Sequence, residues 1–457
     1  EGPMEWAEAE FGGAVLGDLR LTKRLVQLAR QRGAKMQASI AESCGGPSGS
    51  RAAYRFYDNP QVNMEAIQIP HRATTVERMR GEAVVLAVQD TTQVDLTRHA
   101  HTAGLGYLQD LAHRGYLVHS TMMVTPQRVP LGLIQQQVWV RDEAEYGKRQ
   151  KRHERPMVEK ESQKWLTSLE AAAAVQRELP ETRVVSVGDS EADIFALFAA
   201  SLEKGVSFLV RAWQDRLIED ADERHLWKHL EALPVAGTRE VILPRQDQRP
   251  ARNVVLTVRF AQVALKVPVR EKKRQEHQSV TAWAILAREE LPPAGEEAIE
   301  WKLLTNVPTE TLAQAHERID WYSCRWVVEM FHRVLKSGCR LEERQFDDLD
   351  NIQRFLALDS VVAWRVLYLT LCTRQLPELP CDALFETYEW QALYCFVHKT
   401  NQPPEQVPLL SDAVIWLARL GGFTASRKRQ PGTTVLWRGL SRLTDIALAW
   451  RTFHPDP

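Results

Sequence analysis

The chain has 457 residues, of which 44% are apolar and 26% charged, enough for two or three domains with cores of their own and no need of disulfide staples. No run of 18 apolar residues occurs, and the opening EGPMEWAEAEF lacks a basic region followed by an apolar one. Neither a membrane span nor a signal peptide is therefore expected, and the reading is a cytoplasmic protein. A net charge of -1 is unlike the strongly basic balance of a small DNA-binding domain, so any nucleic-acid function has to rest on local patches.

Residues 4 to about 70 read as helical, with segments near Met4–Phe11 and Leu19–Arg32, a Gly/Ser-rich break at Ser43–Ser50 and a short helix from Arg51 to the stop at Asn59-Pro60. Between Leu19 and Ile40 stand six basic residues, Arg20, Lys23, Arg24, Arg30, Arg32 and Lys35, and no acid. Further clusters lie at Lys148–Arg155 and Arg239–Arg274. Each could follow a phosphate backbone or form a solvated face.

From Glu82 the pattern turns to strands. VVLAVQD, Val84–Asp90, is an apolar run ending in a carboxylate, as expected of a buried strand that delivers a polar group at its end. Two strands joined by a turn around Gln127 fill Tyr116–Val140, and a charged helix at Val158–Arg177 leads to RVVSVGD, a second apolar run ending in Asp189. A helix from about Glu191 and a strand at Ser207–Ala212 follow. The order β-β-β-α-β-α-β predicts an α/β fold with a mixed sheet. Segment 214–300 reads as a β-rich insertion closed by WKLLTN, and after Asp350 the chain is helical. Cys44, Cys324, Cys339, Cys372, Cys381 and Cys395 lack C-x-x-C spacing, so structural thiols are expected.

One stretch stands apart. As a continuous helix, Asp320–Lys336 brings Tyr322, Arg325, Glu329 and Lys336 within an arc of roughly 60°, flanked by His332 and Arg333, opposite Val327, Val328, Phe331, Val334 and Leu335. Converging Asp90, Asp189 and Glu329 would repel one another unless a cation neutralised them, and hard oxygen ligands suit Mg²⁺ or Mn²⁺. Asp189 could instead be a helix cap, for which Asp193 is the better candidate. Asp95 competes as a ligand but is ranked lower, as lying past the strand end.

The combination of DTT at Asp90–Thr92, VHS at Val118–Ser120, GDSEADI at Gly188–Ile194 and Tyr322-x2-Arg325-x3-Glu329-x6-Lys336 resembles the cut-and-paste DDE transposases of the bacterial transposon Tn-five group, whose YREK signature is the last spacing. LGDLRLTKRL and AYRFYDNP resemble the end-binding domain of that group, and LARLGGF, Leu417–Phe423, its dimerisation region. The resemblance implies a ribonuclease-H-like catalytic core at 71–350 with the β insertion, a helical N-terminal end-binding domain at 1–70 and a helical C-terminal dimerisation domain at 351–457. It further implies that Asp90, Asp189 and Glu329 bind two Mg²⁺ ions, with Mn²⁺ as a substitute. Arg211, Tyr322, Arg325 and Lys336 would hold DNA phosphates, Trp301 would receive a flipped base, and Arg20, Arg24, Arg30 and Arg55 would meet the end DNA. The partners implied are double-stranded transposon-end DNA, target DNA and a second copy of the chain, with action at the bacterial nucleoid. The residues taken alone leave open the lesser alternative that Trp301 is an aromatic packed at a strand start. Phe195, Leu117 and Leu21 depart from the group's pattern, so side contacts and the end sequence are expected to differ. A catalytically silent inhibitor of transposition, or a nuclease or resolvase without strand transfer, are the rival readings.

Overall fold

The computed structural model describes residues 5–147, 161–219, 224–243, 252–269, 279–424 and 430–454. The basic cluster at Lys148, Arg149, Lys151, Arg152 and Arg155 lies outside them, as do parts of the Arg239–Arg274 patch. The chain divides into two compact units, one of Arg80–Asp90 and Gln150–Trp326, the other of Glu1–Met79, Thr91–Arg149 and Val327–Pro457. The strands are β1 (Val84–Asp95), β2 (Gly106–Tyr107), β3 (Arg114–Val124), β4 (Pro130–Trp139), β5 (Arg183–Gly188), β6 (Ser207–Arg211), β7 (Gly237–Leu243), β8 (Arg252–Leu265), β9 (Val280–Arg288) and β10 (Glu300–Thr305).

In the first unit the strand order is β1-β5-β6-β10-β9-β8-β7. β1, β5 and β6 run parallel. β10, β9, β8 and β7 are antiparallel, each to its neighbours. The expected mixed sheet is thus present, and the strands of the insertion extend it rather than forming a layer of their own. Val85, Leu86, Ala87 and Val88 of β1 and Val184, Val185 and Val187 of β5 are buried. Such continuous apolar runs are what a parallel pair covered on both faces requires. Helices Gln163–Glu178 and Phe195–Lys204 follow β-strand edges on either side of β5 in the chain, and Leu226–Ala232, which the sequence reading did not foresee, packs on β8 and β9.

In the second unit β3 pairs antiparallel with β4 and β2. Helices Met64–Met79 and Leu349–Gln375 pack on β4, and Thr387–His398, Leu410–Leu420 and Thr433–Phe453 pack on one another. Helix Leu349–Gln375 is long and apolar enough to cross a membrane, but 94% of that stretch is buried by the protein itself. It is built as a core helix. All six cysteines are buried and free, in line with structural thiols.

Three local expectations need correction. β1 does not stop at Asp90 but runs to Asp95. Its pairing with β5 spans Val84–Val88, while its far end stays extended beside β3, where the Leu96 N–H donates to the Arg114 carbonyl at 2.8 Å. Helix Pro47–Tyr57 starts inside the supposed Gly/Ser break, because Pro47 sits at its first position, where a missing N–H costs nothing. The helix expected over Asp320–Lys336 is interrupted: Leu312–Ser323 ends, Trp326–Arg333 begins, and Val334–Gly338 is a π-helical turn. The Asp320 carbonyl takes the Ser323 hydroxyl at 2.6 Å and the Cys324 thiol at 3.4 Å. The Cys324 and Arg325 amides turn to carbonyls three residues back. Side-chain donors have displaced the helical ladder there. The apolar face survives the break, since Val327, Val328, Phe331, Val334 and Leu335 are all buried.

Candidate active site

Two of the three acids are brought together by register. Val88 pairs with Val187, so two residues further along parallel strands Asp90 falls beside Asp189, on the same face and about 4.8 Å away across the strand spacing. Gln89 locks the register, its side-chain amide donating to the Ser186 hydroxyl at 2.6 Å. Gly188 lets the chain close down just before Asp189, since a Cβ there would lie 2.5 Å from that of Ala192 and 3.1 Å from the Trp165 ring.

Asp189 also caps the 3-10 turn Ser190–Ala192, accepting the Glu191 N–H at 2.8 Å. Asp193, expected as the cap, is instead buried and ion-paired to Arg216 at 2.6 Å. Burial decides between the two: only the residue at the strand end reaches solvent.

Cations surround this pair. The Arg325 guanidinium is 3.7 Å from the Asp90 carboxylate. Arg211 ends β6, one position beyond the pairing of Gly188 with Val210, and so stands opposite Asp189. Tyr322 is buried among them. Burial pushes its hydroxyl above the usual range, Arg325 and Arg211 work the other way, and the charge of Asp189 adds to the rise. Trp301 is 6% exposed and meets Tyr322 and Trp326 edge to face at 5.6 and 6.4 Å. Its ring is packed on the inside of this cluster.

Glu329 lies in the first turn of Trp326–Arg333, half-buried, and belongs to the second unit. One turn on, His332 is buried with Nε2 3.0 Å from the Ser120 hydroxyl, which also accepts from Gln136 at 3.0 Å. His119 Nδ1 is 2.9 Å from the Thr91 hydroxyl. The DTT and VHS motifs thus serve partly as hydrogen-bonded supports, a role the sequence reading left unassigned. A histidine three residues from Glu329, at the edge of the polar stripe, was the available signal. Lys336 lies 3.1 Å from Glu342, whose carboxylate also accepts the Asp95 N–H. The Asp95 side chain accepts from the Thr97 amide and hydroxyl, a local turn.

The donor set is all carboxylate oxygen, half-exposed, with two like charges side by side, which suits a hard divalent cation. Among the described residues no group of three His, Cys, Asp or Glu is gathered in ligating geometry.

The N-terminal arginines divide into two kinds. Arg20, Arg24 and Arg55 reach solvent, Arg20 held by Asp18 at 2.8 Å and Arg24 by Gln27 at 3.0 Å. Arg30 is taken up by Glu5 at 2.8 Å. Arg32, counted in the basic stretch, is fully buried and pairs with Asp359 through two bonds of 3.0 and 2.8 Å. In the Arg239–Arg274 patch, three described arginines are likewise spoken for: Arg239 by Asp320, Arg252 by Glu289 and Arg259 by the Leu233 carbonyl.

Family models match three stretches of the chain: transposase DNA-binding at residues 3–62, transposase DDE domain at 150–363, and transposase Tn5 dimerisation domain at 361–451. Asp189 and Glu329 fall within the DDE match, and Asp90 precedes it. The chain belongs to the DDE transposases, and within them to the Tn5-like group. It is a DNA transposase, an enzyme that cleaves DNA and transfers strands, with domains for DNA binding and for pairing with its own kind. Such enzymes use divalent metal ions.

Proposed function

We propose that the protein performs cut-and-paste transposition as a homodimer that pairs two transposon ends, with residues 1–70 docking each end, 71–350 carrying out the chemistry and 351–457 joining the protomers. Asp90, Asp189 and Glu329 are assigned as the ligands of two Mg²⁺ ions, for which Mn²⁺ substitutes. Such ions lower the pKa of an attacking hydroxyl and neutralise charge on the leaving oxygen.

Water nicks one strand at the transposon end and leaves a 3′-hydroxyl. That hydroxyl attacks the opposite strand to give a hairpin, a second water opens it, and the same 3′-hydroxyl joins target DNA. Arg211, Arg325 and Lys336 hold phosphates through charge and, for arginine, fork geometry, while the Tyr322 hydroxyl donates one bond. Arg20, Arg24 and Arg55 contact the end DNA, and Arg30 joins them on releasing Glu5. Trp301 receives a flipped base only by exchanging its contacts with Tyr322 and Trp326 for the base, so its role requires local rearrangement.

The observation that carries this reading is the register of β1 and β5, which sets Asp90 beside Asp189 with Arg325 and Arg211 close by. A ribonuclease-like nuclease has no use for this cation and tyrosine set around the acids. The test is incubation with candidate end DNA and Mg²⁺, resolved on a denaturing gel. Nick, hairpin and joined products are expected in sequence. Bound but uncut DNA would identify an inhibitor, and nicks that never advance a nuclease.

A further inference from the structure

The chain has 14 tryptophans, and among the described residues Trp213, at 72% exposure, is the only one of them that is an exposed large hydrophobic residue. An indole left in water forgoes most of the stabilisation its burial would bring, so the fold gains little from it. Yet its backbone is held with unusual care. Asp193, buried, accepts the Trp213 and Gln214 N–H groups on one oxygen at 3.0 and 2.9 Å. Its other oxygen takes Arg216 at 2.6 and 3.0 Å. The Asp193 carbonyl accepts from Gln214 and Arg216, the Trp227 indole N–H donates to the Gln214 carbonyl at 3.0 Å, and the Ala212 N–H donates to the Lys302 carbonyl at 2.6 Å. A buried ion pair is weak evidence for stability and is better understood here as fixing geometry.

The loop is fixed beside the acids. Asp189 stands opposite Arg211, and Trp213 follows two residues on, within about 7 Å along the chain. Arg211 and Trp213 are both exposed, and Ala212 between them is buried. An exposed cation and an exposed aromatic ring thus sit two residues apart at one braced strand end. That pairing is how proteins hold unpaired nucleic acid, the cation taking the phosphate and the ring a base.

We propose that Trp213 is a stacking platform for an unpaired base at the cleaved DNA end, displayed in place by Asp193. The inference rests on the reading that Asp189 and Arg211 face DNA. It places the open aromatic surface at Trp213, where Trp301 is packed.

The test uses the full chain in Ca²⁺ with pre-cleaved end DNA carrying 2-aminopurine at successive positions near the terminus, so that no cleavage is required. For the wild type, emission should change sharply at one position. Trp213→Phe should keep that change. Trp213→Ala should lose it and bind about 5- to 150-fold more weakly, with an unaltered melting temperature and an unchanged slope of log affinity against log salt. Arg211→Ala, by contrast, should lower that slope by about one. Wild-type affinity and probe response in Trp213→Ala would overturn the proposal, as would a loss of self-association with the probe response intact, which would make Trp213 a protein contact. Failure of the wild type to cut any end DNA in Mg²⁺ would count against the function alone, because the probe assay reads binding.

Discussion

Two regions of this molecule are built from the same residue types and put them to opposite use. Around Arg32 and Asp359 the charges are sealed in: both side chains are buried, and Arg32 also donates to the carbonyls of Met36 and Ala38. Arg344 reaches the same two carbonyls, and the Cys339 thiol donates to the Asp359 carbonyl. Around Asp90 and Asp189 the carboxylates are half-exposed, repeat the same sign side by side, and meet arginines at the longer distance of 3.7 Å or across a strand. Charge composition does not separate a structural cluster from a chemical one. What separates them is burial: the first cluster is sealed from solvent, whereas the second stays within its reach.

The largest effects are expected at the three acids proposed as metal ligands. Asp90→Ala, Asp189→Ala and Glu329→Ala should each reduce nicking by about 10³-fold or more, the consequence of losing several kcal/mol of charge stabilisation. End binding in Ca²⁺ should persist and the melting temperature should hardly move. Nicking near the wild-type rate in any one variant would remove that residue from the metal ligands.

The sealed cluster should answer in reverse. Arg32→Ala leaves the Asp359 carboxylate buried without its counter-ion and should cost about 3–5 kcal/mol of folding stability, measured by chemical denaturation. If Arg32→Ala unfolded like the wild type and lost end binding alone, Arg32 would belong with the DNA contacts after all.

A second sealed cluster provides a pH signature of comparable kind. Burial works against ionised Glu10, but His71 at 2.5 Å and Arg78 at 2.7 Å hold its carboxyl down to about 2. A folded-state value below the unfolded one contributes stability that is present above the unfolded value near 4.5 and is lost as the pH falls towards 2. The stake is on the order of 3 kcal/mol. Glu10→Gln should flatten the acid limb of a stability profile between those limits, and an acid limb identical to the wild type would show that Glu10 does not contribute to it.

The smallest effect belongs to the solvent-reaching arginines of the N-terminal helices. The triple variant Arg20→Ala, Arg24→Ala, Arg55→Ala should keep its melting temperature and reduce the salt slope of end binding by about three, one for each phosphate contact. An unchanged slope would return these residues to a solvated surface.

Much of the architecture could be read from residue order. Mostly apolar runs identified β1 and β5, because a strand covered on both faces is nearly continuously apolar, and the acids that follow them were conspicuous for ending such runs. The family motifs added the assignment of those acids. Periodicity also marked the apolar face of Asp320–Lys336, whose Val327, Val328, Phe331, Val334 and Leu335 are buried although the helix is not continuous. Other outcomes depended on partners distant in the chain, to which local pattern is blind. Arg32 lies in an acid-free basic stretch, and only folding brings Asp359 to it. Asp189 and Asp193 are four residues apart and alike in sequence, yet Arg216 draws one inside while the strand end leaves the other at the surface. Trp301 and Trp213 differ in the same way, one packed against Tyr322 and Trp326, the other raised on a braced loop. Local sequence determines what a segment can form, and the tertiary structure decides which charges and rings are already satisfied, since satisfaction is a property of contacts and not of composition.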